Sequence, residues 1–127
     1  MPTVLFHIED KAKAKQISEL CRTLKFSQRS LTQADSGKTV GALCGTPGAL
    51  KQISKIPEGF NLPDILIFDG MGENALDVFL SAYRTAGIQP TALKAVVTQN
   101  NLGWPLYSLA AELQREHAAM LLSRYKK

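Results

Sequence analysis

The chain has 127 residues, 45% of them hydrophobic and 20% charged, within the size and composition of one globular domain with a core of its own. A formal charge of +4 is only mildly basic, and no stretch approaches the roughly 20 apolar residues of a membrane span. The charge is uneven: residues 1–63 carry nine Lys/Arg against five Asp/Glu, and residues 64–127 carry six of each.

Residues 3–8 (TVLFHI) form a short β-branched run that stops at Glu9-Asp10 and predict a strand. Asp10 is placed to cap a helix over 11–24. There Ala14, Ile17, Leu20, Cys21 and Leu24 share one face, while Lys11, Lys15, Arg22 and Lys25 crowd the other. A second strand is expected over 26–32. A helical piece follows at 38–44, continuing at 48–53, and PEGFNLP at 57–63 reads as a short linker.

The second half repeats this order. Residues 64–68 (DILIF) read as a strand covered on both faces. A helix over 73–86, with a very wide apolar arc, is expected to be the more buried of the two and stops at Gly87. A strand is expected at 92–98. A long helix over 105–124 carries the stripe Leu106, Leu109, Ala110, Leu113, His117, Met120 and Leu121, with Pro105 at its first position. Val4-Leu5-Phe6 aligns with Ile65-Leu66-Ile67, and Ile17, Cys21 and Leu24 with Phe79, Tyr83 and Ala86.

The expected fold is therefore α/β, a single domain over 1–127. Two pseudo-repeated β-α-β-α halves, 1–56 and 64–127, build one four-stranded, largely parallel sheet flanked by helices. The alternative makes 39–43 a strand and gives a ferredoxin-like α+β pattern.

ILIFDGMGENALDVFLSAYRTAG, ALKAVVTQNNLGW and LAAELQREH, between Asp64 and Met120, together resemble the prokaryotic domain of unknown function 3783 family. The resemblance implies a cytoplasmic bacterial or archaeal protein and brings no catalytic residues with it. Residues 1–8 lack the basic region and apolar run of a signal peptide, and Cys21 and Cys44 lack metal-type spacing, which also fits a reducing cytoplasm.

No motif defines a reaction. Gly37-Lys38-Thr39 imitates the end of a phosphate loop, but Thr32 stands where that loop needs glycine, so a turn with a solvated lysine is expected. Gly70-Met71-Gly72 is followed by Glu73 and Asp77, which repel an anion. No catalytic residue, cofactor or metal ligand is assigned, and His7 and His117 have no shared ligand partners.

The best binding candidate is the stretch Lys94, Thr98, Asn100, Asn101 and Trp104, polar groups with one indole after a strand. The plain reading has the asparagines bonding the turn and Trp104 plugging the core. The expected role is a non-enzymatic binding or regulatory module for a protein or small molecule. The first alternative is a small enzyme with a site between the halves, pairing His7 with Asp69 or Lys94. The second, and weakest, is nucleic-acid binding through Lys11, Lys15, Arg22 and Lys25. An open sheet edge would suit a homodimer.

Overall fold

The computed structural model describes residues 2–46, 48 and 53–125. In chain order the elements are β1 (Thr3–His7), α1 (Lys11–Leu24), β2 (Ser27–Ser30), a 3-10 turn (Gln33–Gly37), α2 (Val40–Leu43), β3 (Ile65–Asp69), α3 (Glu73–Thr85), β4 (Lys94–Val96) and α4 (Leu106–Tyr125).

Strict alternation along the strands sorts their side chains into two layers. Val4, Phe6, Leu66 and Phe68 pack with Ile17 and Cys21 of α1 and Phe79 and Tyr83 of α3. Leu5, Ile65 and Ile67 pack on the other face with Val40 and Leu43 of α2 and Leu106, Leu109 and Ala110 of α4. Helices therefore cover both faces of a four-stranded sheet of order β2-β1-β3-β4.

That sheet is mixed, not largely parallel. β1 and β2 pair parallel across α1, and β3 and β4 pair parallel across α3, but the central pair β1–β3 is antiparallel. The reason is local. TVLFH and ILIFD are both covered on two faces, so their alternation is satisfied in either direction and encodes no polarity. The long connection from α2 to β3 leaves room for β3 to enter alongside β1 from the opposite end. His7 thereby lies across from Ile65, and Thr3 from Asp69.

Asp10 caps α1 as expected, its carboxylate accepting the Ala12 and Lys13 amides at 2.9 and 3.2 Å. The two long crossover helices also end alike. At α1 the Lys25 and Phe26 amides donate to the Arg22 and Cys21 carbonyls; at α3 the Gly87 and Ile88 amides donate to the Arg84 and Tyr83 carbonyls. Lys25 and Gly87 both sit at positive φ, 60° and 71°. The alignment of Val4 with Ile65 needs correcting, since these two face opposite layers; Val4 shares its layer with Leu66, and Phe6 with Phe68.

Other expectations shift. α3 is not the more buried helix: each of the two buries two residues, and Val78 of α3 is 49% exposed. β4, only three residues long, gives α3 little sheet to cover. The segment at 39–43 forms α2 instead of the strand that a ferredoxin-like pattern needs. β2 is shorter than its predicted 26–32: it ends at Ser30, after which the Leu31 amide makes a last bond to the Phe6 carbonyl of β1 and the Leu31 side chain is buried. Of the predicted continuation at 48–53, residues 49–52 lie outside the described ones.

α4 carries its apolar stripe beyond the sheet. Leu106, Leu109 and Ala110 are buried, whereas Met120 and Leu121 are exposed. A 20-residue helix spans about 30 Å and a five-residue strand only about 17 Å, so the last turns have nothing to cover. No helix among the described residues is long and apolar enough to cross a membrane.

Candidate functional site

The Thr98–Trp104 loop leaves the end of β4 and runs to α4, and its backbone is heavily engaged. The Asn101 carboxamide oxygen accepts the Thr98 amide at 2.9 Å, and its nitrogen donates to the Val96 carbonyl at 3.1 Å. The Trp104 and Leu102 carbonyls accept the Val40 and Gly41 amides, the first free donors of α2. Asn101 is thus a turn-former, as the plain reading expects. Asn100 stays exposed, as does Thr98, whose amide is nonetheless taken.

Trp104 does not plug the core. It is 39% exposed and lines a groove of about 650 Å³ with Phe60, Tyr107, Pro57 and Pro105. Phe60 and Tyr107 meet edge to face at 6.2 Å between ring centroids. The Leu106 amide, bonded to the Lys38 carbonyl at 2.9 Å, fixes the start of α4 that forms the floor. The charges at the far end, Glu112 and Arg115, form an ion pair with each other. The groove thus offers ring faces and proline edges on a backbone pinned from both halves of the chain.

Lys94 is not part of this groove. It starts β4 while the loop leaves the other end, and its ammonium donates to the Thr91 carbonyl at 2.7 Å. It lines a separate hollow on the α3 face, with Leu66, Leu80, Tyr83 and Arg84. The five candidate residues therefore do not form one site. Trp104 marks the groove, Lys94 the hollow, and Thr98 and Asn101 serve the turn between. Phe60 and Tyr107 carried no sequence signal, being distant from Trp104 or hidden in an amphipathic helix.

His7 and Asp69 cannot form a catalytic pair. They occupy opposite ends of the central strand pair, roughly 13 Å apart along it, and His7 Nδ1 is engaged by the Pro63 carbonyl at 3.2 Å. Among the described residues no group of three or more His, Cys, Asp or Glu is placed to hold a metal ion. The basic face of α1 is exposed at Lys11, Lys15, Arg22 and Lys25.

In the phosphate-loop look-alike Gly37 and Thr39 are buried, while the Lys38 side chain is half-exposed and paired with Asp35. Burial alone would raise the Asp35 carboxyl, but hydrogen bonds from Lys38 and the Thr32 amide, with the lysine charge, hold it below its ordinary 3.8. A side chain at Gly37 would meet the Ser54 carbonyl oxygen at 2.2 Å, so strand-like pairing with residues 53–54 fills the space a phosphate would need. Ser36 Oγ, fully buried, has no hydrogen-bond partner among the described residues.

Residues 64–120 match the family model of the domain of unknown function DUF3783. The match takes in β3, α3, β4, the Trp104 loop and most of α4, and leaves the β1-α1-β2 unit outside it. No curated protein and no solved structure matches the chain.

Proposed function

We propose that this protein is a binding module without a catalytic step, which docks an extended, uncharged, proline- or aromatic-bearing segment of a partner protein in the groove at Trp104. The observation that carries this reading is the half-open indole itself, 39% exposed beside Phe60, Tyr107, Pro57 and Pro105. Large aromatic side chains are normally buried. Where several line one groove, they supply area at low entropic cost, and proline-bearing segments dock to such surfaces in a preformed extended shape. The backbone bonds from Trp104 and Leu102 to α2 hold the lip in place before binding, which lowers the ordering cost. With Glu112 and Arg115 paired to one another, the groove selects against charged segments.

The same reading takes the protein as cytoplasmic and prokaryotic, with two halves derived from one β-α-β unit. Its supports are the two free thiols, the matching helix stops at Lys25 and Gly87, and the family resemblance of the second half.

The only tryptophan of the chain is its own reporter. Titration with proline-bearing decapeptides is expected to give a saturable shift in Trp104 emission, and acidic decapeptides are expected to give none. Tyr107→Ala, read by the same emission, should weaken binding by about tenfold, typical of an aromatic anchor. Flat titrations with every peptide class, or undiminished binding by the Tyr107 variant, would overturn the proposal.

A further inference from the structure

The hollow that holds Lys94 is built by the connection between α3 and β4. Gly87 stops the helix at positive φ, Ile88 drops into the core, and five more residues pass before the strand begins. Those residues are fixed in place. The Tyr83 hydroxyl donates to the Gln89 carbonyl and lies 3.1 Å from the Thr91 hydroxyl, itself only 3% exposed. The loop therefore stands off the helix as a wall and encloses about 310 Å³ over Leu66.

Inside, the lining is apolar: Leu66, Leu80, Ile88 and the ring of Tyr83. The polar atoms that reach it, the Tyr83 and Thr91 hydroxyls, are engaged with each other and with the loop. Two exposed cations, Arg84 and Lys94, belong to the same lining, and among the described residues neither has a carboxylate within 4 Å. Each cation has a partial structural reason. Arg84 suits the last turn of a helix, and Lys94 holds the Thr91 carbonyl. Neither reason requires both residues to line one apolar hollow. A ligand that fits must bury a hydrocarbon body and leave one anionic group at the rim, and the volume is at the small end of ligand sites.

We propose that the hollow between α3 and β4 binds a small amphipathic monocarboxylate, its hydrocarbon end against Leu66 and its carboxylate held by Arg84 and Lys94. This site is independent of the Trp104 groove.

The test is an amide-resolved NMR titration of the full chain with octanoate, kept below its micelle threshold, and with octanol as the uncharged counterpart. Octanoate is expected to give saturable shifts at Leu66, Leu80, Ile88 and Lys94, with octanol binding about tenfold more weakly. Lys94→Glu and Arg84→Gln, both at exposed side chains, should each weaken octanoate by a similar factor with the spectrum otherwise preserved. Tyr107→Ala should leave octanoate binding unchanged, which keeps failure of this site distinct from failure of the groove. Shifts that scatter over the surface without saturating, equal binding of octanol, or full affinity in both charge variants would each overturn the proposal.

Discussion

The two β-α-β units of this protein begin alike and end differently. In β1-α1-β2 the chain leaves the left-handed Lys25, buries part of Phe26 and enters the second strand at Ser27. In β3-α3-β4 it leaves the left-handed Gly87, buries Ile88 and then runs through Gln89–Leu93 before the strand starts at Lys94. Up to that point the helices stop with the same pair of hydrogen bonds and send equivalent residues, Ile17 and Cys21 or Phe79 and Tyr83, into one layer. The shared part is what the core requires. The added loop gives Leu93 to the core on the opposite face, and its Pro90 and Thr91 wall the Lys94 hollow.

The largest test of this comparison is at the matched buried pair Ile17 and Phe79, both 0% exposed. Phe79 touches Phe68, Tyr83 and, from the other unit, Phe26, at centroid distances of 5.3, 6.0 and 6.4 Å. Phe79→Ala should cost about 3–5 kcal/mol by urea unfolding, and Ile17→Ala about 2–4 kcal/mol. A cost below about 1 kcal/mol at Phe79 would break the picture of two units closed over one aromatic cluster.

Much of this was legible in the residues themselves, and what was not has a common cause. The capped helix after Asp10, the glycine stop at Gly87 and the placing of Ile17 and Cys21 on the apolar face of one helix and Phe79 on that of another follow from local chemistry and a period of 3.6. The antiparallel meeting of β1 and β3 was hidden, because a strand that is apolar on both faces looks the same read in either direction. Lys94 and Trp104 looked like neighbours since only ten positions separate them. An extended strand advances about 3.3 Å per residue, so its two ends open onto different surroundings. Tyr107 was assigned no role, although it lies three residues beyond Trp104, because only the tertiary approach of Phe60 turns it into a groove wall.

A second test uses the thiols, both of which belong to the first half. Cys21 holds in α1 the place that Tyr83 holds in α3. Burial pushes its thiol up to about 11, against a smaller lowering from a backbone hydrogen bond. Cys44 is pushed up to about 12, first by burial and then by the charge and hydrogen bond of Asp69, with Arg29 opposing. The thiolate of Cys44 is thus roughly a thousandfold scarcer than that of an unfolded chain at any pH below 9. Disulfide-exchange reagents should react slowly with the native protein at pH 7.5 and rapidly with both cysteines in denaturant. The sign of the linkage follows: a folded-state value above the ordinary 9.0 favours the protonated form, so the contribution is whole below about pH 9 and fades as pH rises toward 11–12. Urea unfolding at pH 7, 9 and 10.5 should trace that fall, and a Cys21→Ala, Cys44→Ala double variant should flatten it. Tyr83, whose hydroxyl is also raised by burial, adds to the slope that remains. An unchanged slope would remove the thiols from the account.

The smallest effect is also the sharpest on the likeness of the two units. Lys25 and Gly87 fill the same place after their helices, at φ of 60° and 71°, and only one of them is the residue that this conformation favours. A side chain in the left-handed region costs about 1–2 kcal/mol, part of which glycine gives back through the freedom of the unfolded chain. Lys25→Gly should therefore stabilise the protein by about 0.5–1 kcal/mol, and Gly87→Lys should destabilise it by a similar amount or slightly more. No neighbour lies within 4 Å of a Cβ built at Gly87, so the second change tests chiefly the backbone conformation. Opposite signs and similar sizes would mean that the two stops are one device written with different residues. If Lys25→Gly instead destabilised the fold, the lysine would be holding α1 by contacts that have no counterpart at α3, and the units would be alike in outline only.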